Sequence, residues 1–549
     1  MTTYTKLLIL TVSLIFSNLI VAQRIETSLD AIDFGTIFED KPDSQTVWLY
    51  NRHTDTVVLG KVHGLSLFGS FPWTLTLPDS KVAPGDSMAL GIRFEILHNV
   101  DHTLPIIIEN NAHRGPVALA LRATGRYNDS YYSSTNDLKE QALKDALNTK
   151  LAQGYTQHPY SDARDQMYMI IDNQRVNGRM STQNLIECMY SARKAIGYNS
   201  RSEAQINDQF DTEHVWPQSL FNQDLPMRSD LHHLFPTWSQ ANSTRGNFPF
   251  GVVTGAPTWT VGGSKFDNST FEPRDYAKGR TARAMMYFVI RYQNYNNYLN
   301  PQENILRTWH AMFPPDSIDR RRNADIFAFQ GNKNPFVDYP QFIDRITSLS
   351  GNSVDPVRLE LLLPEDSIDY ADVQAGQPAV YSYVIVNQGN MPVTLQQFSL
   401  NQPELSFIAG SNDTIIHPGE FNVCKIALNG QTSGSFSGTL SFTSSATISN
   451  YSVPIFANVI GDVAVDQKLP MGMQVFPSPA REQLTIRWEA AHPKARLEVL
   501  DSMGKLLIVS EMGSFQKEAI LNLQTLPTGN YILNIKAGEN RWSRKFSHE

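Results

Sequence analysis

The sequence predicts a multidomain chain: an α+β middle flanked by two immunoglobulin-like β-sandwich domains, with a further small β-sandwich at its end. Three observations predict it. The 549 residues are enough for three or four cores at about 150 residues each. Apolar residues alternate with period 2 between turn residues on both flanks, whereas helical spacing is confined to the middle. A set of short motifs also recurs on the two sides of that middle. Hydrophobic content of 41% and charged content of 18% fit globular domains and exclude a disordered polar chain.

Taken in order, residues 1–22 read as a cleavable secretory signal. Lys6 precedes the apolar run from Leu7 to Ala22, which is interrupted by Ser13, Ser17 and Asn18 and is short for a membrane anchor. Cleavage is expected after Ala22, and no later stretch reaches the roughly 18 apolar residues of a spanning helix. Residues 24–125 form the first sandwich, with strands expected at 46–50, 88–94, 105–109 and 117–122. Residues 356–461 form the second. Leu49-Tyr50-Asn51 is echoed there by Ile385-Val386-Asn387, and Ala83-Pro84-Gly85-Asp86 by His417-Pro418-Gly419-Glu420. Each sandwich closes with a strand ending in glycine, Gly125 or Gly461.

The middle, residues 126–350, carries helical spacing at 136–151, with Asn136 as a cap, and at 278–292 and 301–312. The last stretch, 473–549, returns to period-2 strands punctuated by turns such as Asp501-Ser502-Met503-Gly504 and Pro527-Thr528-Gly529-Asn530. Cys188 and Cys424 fall in different domains, which excludes a disulfide framework and leaves two buried thiols.

The net charge is −8, which argues against a simple electrostatic coat for nucleic acid. From Arg126 to Arg345, however, 24 Lys and Arg stand against 23 Asp and Glu, so the middle is close to neutral while the rest of the chain carries the acidic excess. Of those 24 cations 17 are Arg, the side chain suited to forked contacts with phosphate.

The chemistry concentrates between Asp211 and Gly251. Phosphodiester hydrolysis needs a base to activate water, a cation to neutralise developing charge, and donors that hold the phosphate. Glu213 offers a hard anionic oxygen suited to Mg²⁺ and Asn242 a neutral one, and Mg²⁺ prefers few protein ligands with several waters. His214 can act as base because a neutral imidazole accepts a proton near physiological pH. Adjacent residues point to opposite sides of a regular strand, so using Glu213 and His214 together requires a strand end or a distorted turn. Other readings exist for each residue. A lone Glu-His pair occurs by accident, His232-His233 could suggest zinc or simple packing, and Asn242, Arg245 and Asn247 could be caps and turn formers.

Three blocks occur together here: Thr212-Glu213-His214-Val215-Trp216-Pro217, Asp230-Leu231-His232-His233-Leu234-Phe235-Pro236, and Asn242-Ser243-Thr244-Arg245-Gly246-Asn247-Phe248. Phe271-Glu272-Pro273, Ala282-Arg283, Trp309-His310, Arg320-Arg321-Arg322-Asn323 and Gln330-Gly331-Asn332 follow. This pattern resembles the endonuclease I family, non-specific nucleases of the ββα-metal fold, across about 220 residues. The resemblance implies metal binding by Glu213 and Asn242, general-base work by His214, and cleavage of DNA, and often RNA, to 5′-phosphate ends. It implies Mg²⁺, with other divalent cations as substitutes. Family members with a longer insert place a phosphate-gripping Arg there. This chain's insert is short, and Arg228 or Arg245 is expected to substitute.

The C-terminal stretch, with Val475-Phe476-Pro477-Ser478-Pro479-Ala480 and a terminal Arg544-Lys545-Phe546, resembles the sorting domain of the type IX secretion route. It departs from that family at Ser478, where Asn is usual, and it implies the secretion machinery as a partner and a secreted or cell-surface location. The reading is a secreted nuclease without strong sequence specificity. The alternative is a surface adhesin or glycan-binding protein in which the nuclease fold is inert.

Overall fold

The computed structural model describes residues 25–52, 54–178, 180–293, 296–461, 473–488, 494–501, 505–514, 516–537 and 540–549. The expected signal segment lies outside the described residues. Among them, no helix is long and apolar enough to cross a membrane.

Among the described residues, the N-terminal flank contains nine strands in two sheets. One sheet orders its first, third, seventh and fifth strands: Ile25–Thr27, Asp43–Asn51, Ser87–Phe94 and Trp73–Thr76. The other orders the second, ninth, eighth, fourth and sixth: Ala31–Phe38, Val117–Arg126, Asp101–Asn110, Val57–Gly64 and Lys81–Val82. Alternating residues such as Val47, Leu49, Leu90, Ile92, Ile106 and Leu119 close one apolar core. The nine strands from Leu361–Leu362 to Asn450–Ile460 repeat that order strand for strand, and in both units the second strand pairs in parallel with the ninth.

The repeated sequence motif proves to be a repeated hydrogen-bond device. Asn51 and Asn387 are both fully buried. Asn51 Nδ2 donates to the carbonyls of Asp55 and Val82, both at 2.8 Å, and Asn387 Nδ2 donates to those of Met391 and Ile416 at 2.8 and 2.9 Å. The amides of Gly85 and Gly419 return bonds to the carbonyls of Asn51 and Asn387. Each asparagine ties the turn that follows its own strand to a distant Pro-Gly turn. A buried amide needs such partners, because unpaired it would cost about 1–3 kcal/mol.

The two flanks also meet each other. Ile107 packs on Val384 and Val386, and Arg114 Nη1 donates to the Tyr370 carbonyl at 2.9 Å. The intervening region, although long, leaves and returns to a joined pair of β units. It is anchored on the first of them by Arg345, whose Nη2 donates to Asn99 Oδ1 at 2.7 Å, and by the Tyr339 hydroxyl, which bonds Glu39 at 2.8 Å.

The middle region is built around the helix Asp275–Arg291, which is buried on nearly every side, as a helix at the centre of a core must be. Trp216 stacks on Phe288 with ring centroids 4.6 Å apart. Asp230 accepts hydrogen bonds from the Tyr287 and Tyr292 hydroxyls, both at 2.8 Å. The helix expected from 136 starts later, at Glu140–Ala152, and Asn136 does not cap it. The Asn136 side chain instead accepts a hydrogen bond from Asn99 Nδ2 at 2.8 Å, so contact with the β unit outcompeted the local cap. The helices expected at 278–292 and 301–312 appear as Asp275–Arg291 and Glu303–Met312.

At the C-terminus, among the described residues, three-stranded and four-stranded sheets enclose a separate core that includes Leu484, Trp488, Leu497, Leu533 and Phe546. Cys188 and Cys424 are buried and unbridged.

Candidate active site

The strands Phe210–His214 and Leu234–Trp238 pair antiparallel, with Asp211 opposite Thr237, Glu213 opposite Phe235 and His214 opposite Leu234. The second strand runs directly into the helix Ser239–Arg245, which carries Asn242 and Arg245 three residues apart on one face. Gly246 ends this helix at φ 53° and ψ −121°, a conformation that suits glycine and strains any residue with a Cβ.

Strand alternation puts Asp211 and Glu213 on one face. There Asn242 Nδ2 donates to Asp211 Oδ2 at 2.8 Å, so the amide is oriented with Oδ1 as its remaining acceptor. The Tyr190 hydroxyl donates to Glu213 Oε1 at 2.7 Å, and Arg245 Nη1 lies 3.4 Å from the same oxygen. Glu213 is 1% exposed. Burial pushes its carboxyl up to about 7, against the opposing pull of Arg245 and the Tyr190 hydroxyl. Among the described residues neither Glu213 Oε2 nor Asn242 Oδ1 accepts a hydrogen bond, so two hard oxygens are left for a cation.

The opposite face carries His214, the last residue of its strand. Its ring packs among Tyr160, Phe221 and His233, with centroids 5.6, 6.2 and 5.6 Å away. Nε2 lies 3.1 Å from the Arg228 carbonyl, which can only accept, so Nε2 carries the proton of this bond. Burial, helped by His233 nearby, holds the ring down to about 3, so it is neutral and its lone pair sits on Nδ1. Strand alternation thus leaves His214 and Glu213 on opposite faces, with His214 at the strand end. Immediately afterwards the Val215 amide bonds the His233 carbonyl and the chain turns into Trp216-Pro217.

The two candidate arginines differ sharply. Arg245 is 1% exposed, and its Nη atoms bond the carbonyls of His214, Val215 and Gly246 at 3.2, 2.5 and 3.1 Å. Its guanidinium also lies 4.5 Å from the Phe250 ring centroid. The expected reach towards a phosphate is blocked for Arg245, because a sealed guanidinium that organises the strand end has no open face. Arg228 is half-buried, with its guanidinium 4.6 Å from the Tyr160 ring centroid and no carboxylate partner among the described residues. His232 and His233 are held by backbone, Nε2 bonding the Asn332 carbonyl at 3.0 Å and the Met227 carbonyl at 2.7 Å respectively.

Asp211 and Tyr190 did not emerge from the sequence. Asp211 was within reach of it, since a carboxylate two positions before Glu213 must share its face in a strand. Tyr190 arrives from a distant loop, and no local spacing marks it.

Residues 136–341 match the Endonuclease I family model, and residues 474–549 match the secretion system C-terminal sorting domain. Among similar proteins is an extracellular ribonuclease of Bacillus amyloliquefaciens, 28% identical over 236 residues, covering 40% of this chain and 78% of that protein. An extracellular deoxyribonuclease of Aeromonas hydrophila is 27% identical over 166 residues, covering 26% of this chain and 71% of that protein. The middle of this chain is thus similar to the endonuclease I family, and the protein is a secreted or cell-surface nuclease whose last residues match a secretion-system sorting domain.

Proposed function

We propose that this protein is a divalent-metal endonuclease that hydrolyses DNA and RNA without strong sequence specificity and leaves 5′-phosphate ends. The observation that carries this reading is the arrangement around one strand end. Two free hard oxygens, Glu213 Oε2 and Asn242 Oδ1, belong to one face, and a neutral His214 with an open Nδ1 ends the strand. Glu213 and Asn242 would hold Mg²⁺, which fits a hard, oxygen-only donor set. When bound, the cation supplies charge neutralisation at the phosphate and the leaving oxygen.

The chain's own residues do the rest. His214 Nδ1 takes the proton from the attacking water, and its Nε2–H bond to the Arg228 carbonyl fixes the ring and its tautomer. Arg228 presents its guanidinium to the phosphate. Asp211 orients the Asn242 amide, and Arg245 and Tyr190 hold Glu213 in place. Extracellular relatives named as ribonuclease and as deoxyribonuclease support activity on both polymers, and backbone phosphate contacts account for sequence tolerance.

We read the strand–strand–helix unit around Glu213 as the ββα-metal core. The flanks at 24–125 and 356–461 we read as immunoglobulin-like domains, the nuclease as 126–350, and the terminal module at 473–549 as the address read by the secretion machinery. Plasmid nicking with and without a chelator tests the activity. The parent should nick only with divalent cation, Glu213→Gln should lose metal affinity and cleavage together, and His214→Ala should lose at least about a hundredfold in turnover. Near-parental turnover in His214→Ala would assign the base to another group.

A further inference from the structure

Beside His214 lies a group of which the chemistry above uses only Arg228. The helix Tyr160–Gln166 packs against the turn Met227–Ser229, and two arginines meet on one tyrosine ring there. The guanidinium carbon of Arg164 lies 4.2 Å from the Tyr160 ring centroid, and that of Arg228 lies 4.6 Å from it. The same ring is 5.6 Å from the His214 ring. Neither arginine has a carboxylate partner among the described residues. The acids next to Arg164 in sequence are engaged elsewhere, since Asp165 bonds Arg201 at 2.6 Å and Asp162 accepts the Ser161 hydroxyl. Only the Nε atoms of Arg164 and Arg228 are sealed and unbonded, while their Nη ends make no hydrogen bond within the protein and stay open.

Two like charges on one ring repel each other, and an anion bound to both relieves that repulsion. Packing alone does not account for two uncompensated guanidiniums with outward Nη groups. Both sit beside the ring that the nuclease reading makes the general base.

We propose that Arg164 and Arg228, held on Tyr160, form a two-phosphate clamp. Arg228, whose carbonyl holds the His214 ring, takes the scissile phosphate, and Arg164 takes the neighbouring phosphate of the same strand. The inference rests on the nuclease reading and extends it to substrate class. The site recognises a polyanionic strand with at least two consecutive phosphates, and a single phosphodiester is a poor substrate because half of the clamp stays empty.

The test uses the full-length enzyme with Mg²⁺ and short single-stranded oligonucleotides that carry one cleavable linkage. One set has a neutral methylphosphonate at the adjoining phosphate on either side. For the parent, neutralising the phosphate that Arg164 grips should lower kcat/KM about 10- to 100-fold. In Arg164→Gln the same replacement should change little, because the partner is already gone. Arg164→Gln should itself lose about 10- to 100-fold in kcat/KM on the unmodified oligonucleotide. Its binding of fluorescent single-stranded DNA in chelator should lose about 0.7 from the slope of log K against log salt.

An Arg164→Gln enzyme with unchanged slope, or one that loses as much as the parent when the adjoining phosphate is neutralised, would overturn the clamp. So would a parent enzyme indifferent to methylphosphonate on both sides, a result that does not depend on any variant folding. A parent that cleaves no substrate at all would instead overturn the nuclease reading beneath it.

Discussion

Arg245 Nη1 lies 3.4 Å from Glu213 Oε1, and both residues are 1% exposed. A charge pair this deep is costly to break from one side, because the partner left behind has neither water nor a counter-charge. The same guanidinium grips the carbonyls of His214 and Val215, so one residue fixes both the candidate metal ligand and the end of the strand that presents the candidate base.

Replacing Arg245 by Met should therefore destabilise the nuclease domain by about 3 kcal/mol and abolish cleavage. The salt dependence of DNA binding should stay that of the parent, since a sealed guanidinium touches no phosphate. Denaturant unfolding and fluorescence anisotropy check the two halves of this expectation. A reduced salt slope would return Arg245 to the phosphate.

Asp211 accepts from Asn242 Nδ2 at 2.8 Å and so decides which end of that amide faces the site. Asp211→Ala should weaken Mg²⁺ binding about 10- to 100-fold, as loss of a ligand-orienting partner does, while the fold persists. Calorimetric titration reads this directly. Unchanged affinity would mean that the amide is held in some other way.

Glu365 gives a pH signature remote from catalysis. The Tyr381 hydroxyl donates to its Oε2 at 2.9 Å, and burial raises its carboxyl from the ordinary 4.5 to about 7, with Glu109 of the first β unit adding to the rise. A raised carboxyl favours the protonated folded state. Its contribution to stability is full below about pH 4.5 and is lost as the pH rises through about 7. Glu365→Gln, which mimics the protonated form, should melt above the parent by a wider margin at pH 8 than at pH 5. A margin that narrows as the pH rises would contradict the sign.

The terminal module has its own core, including Leu484, Trp488, Leu497 and Phe546. Removing residues 473–549 should leave nuclease activity in purified protein and trap the product inside the cell envelope. Fractionation followed by an activity gel distinguishes this from normal surface delivery, which would show that the address lies elsewhere.

The sequence by itself determined what short-range geometry can encode. Period-2 alternation marked the strands of the flanks. The paired Asn and Pro-Gly motifs marked two units that share one strand order, because a buried asparagine amide and a turn glycine each tolerate few substitutes. The Glu213-His214 and Asn242 blocks were legible because a strand, a turn and a seven-residue helix are each built from neighbouring residues.

Tertiary structure alone decided which arginine is buried and which is open. Arg228 and Arg245 have the same chemistry in sequence, and only the packing of Phe250, Glu213 and three carbonyls around Arg245 sets their surroundings apart. It also brought Tyr190 to Glu213, and Tyr160 with Arg164 to His214, across intervals that no local period spans. It moved the first helix start as well, since Asn136 found a better partner in Asn99 than in its own backbone. Local propensities differ by about 1 kcal/mol, and a single buried long-range hydrogen bond is enough to overrule them.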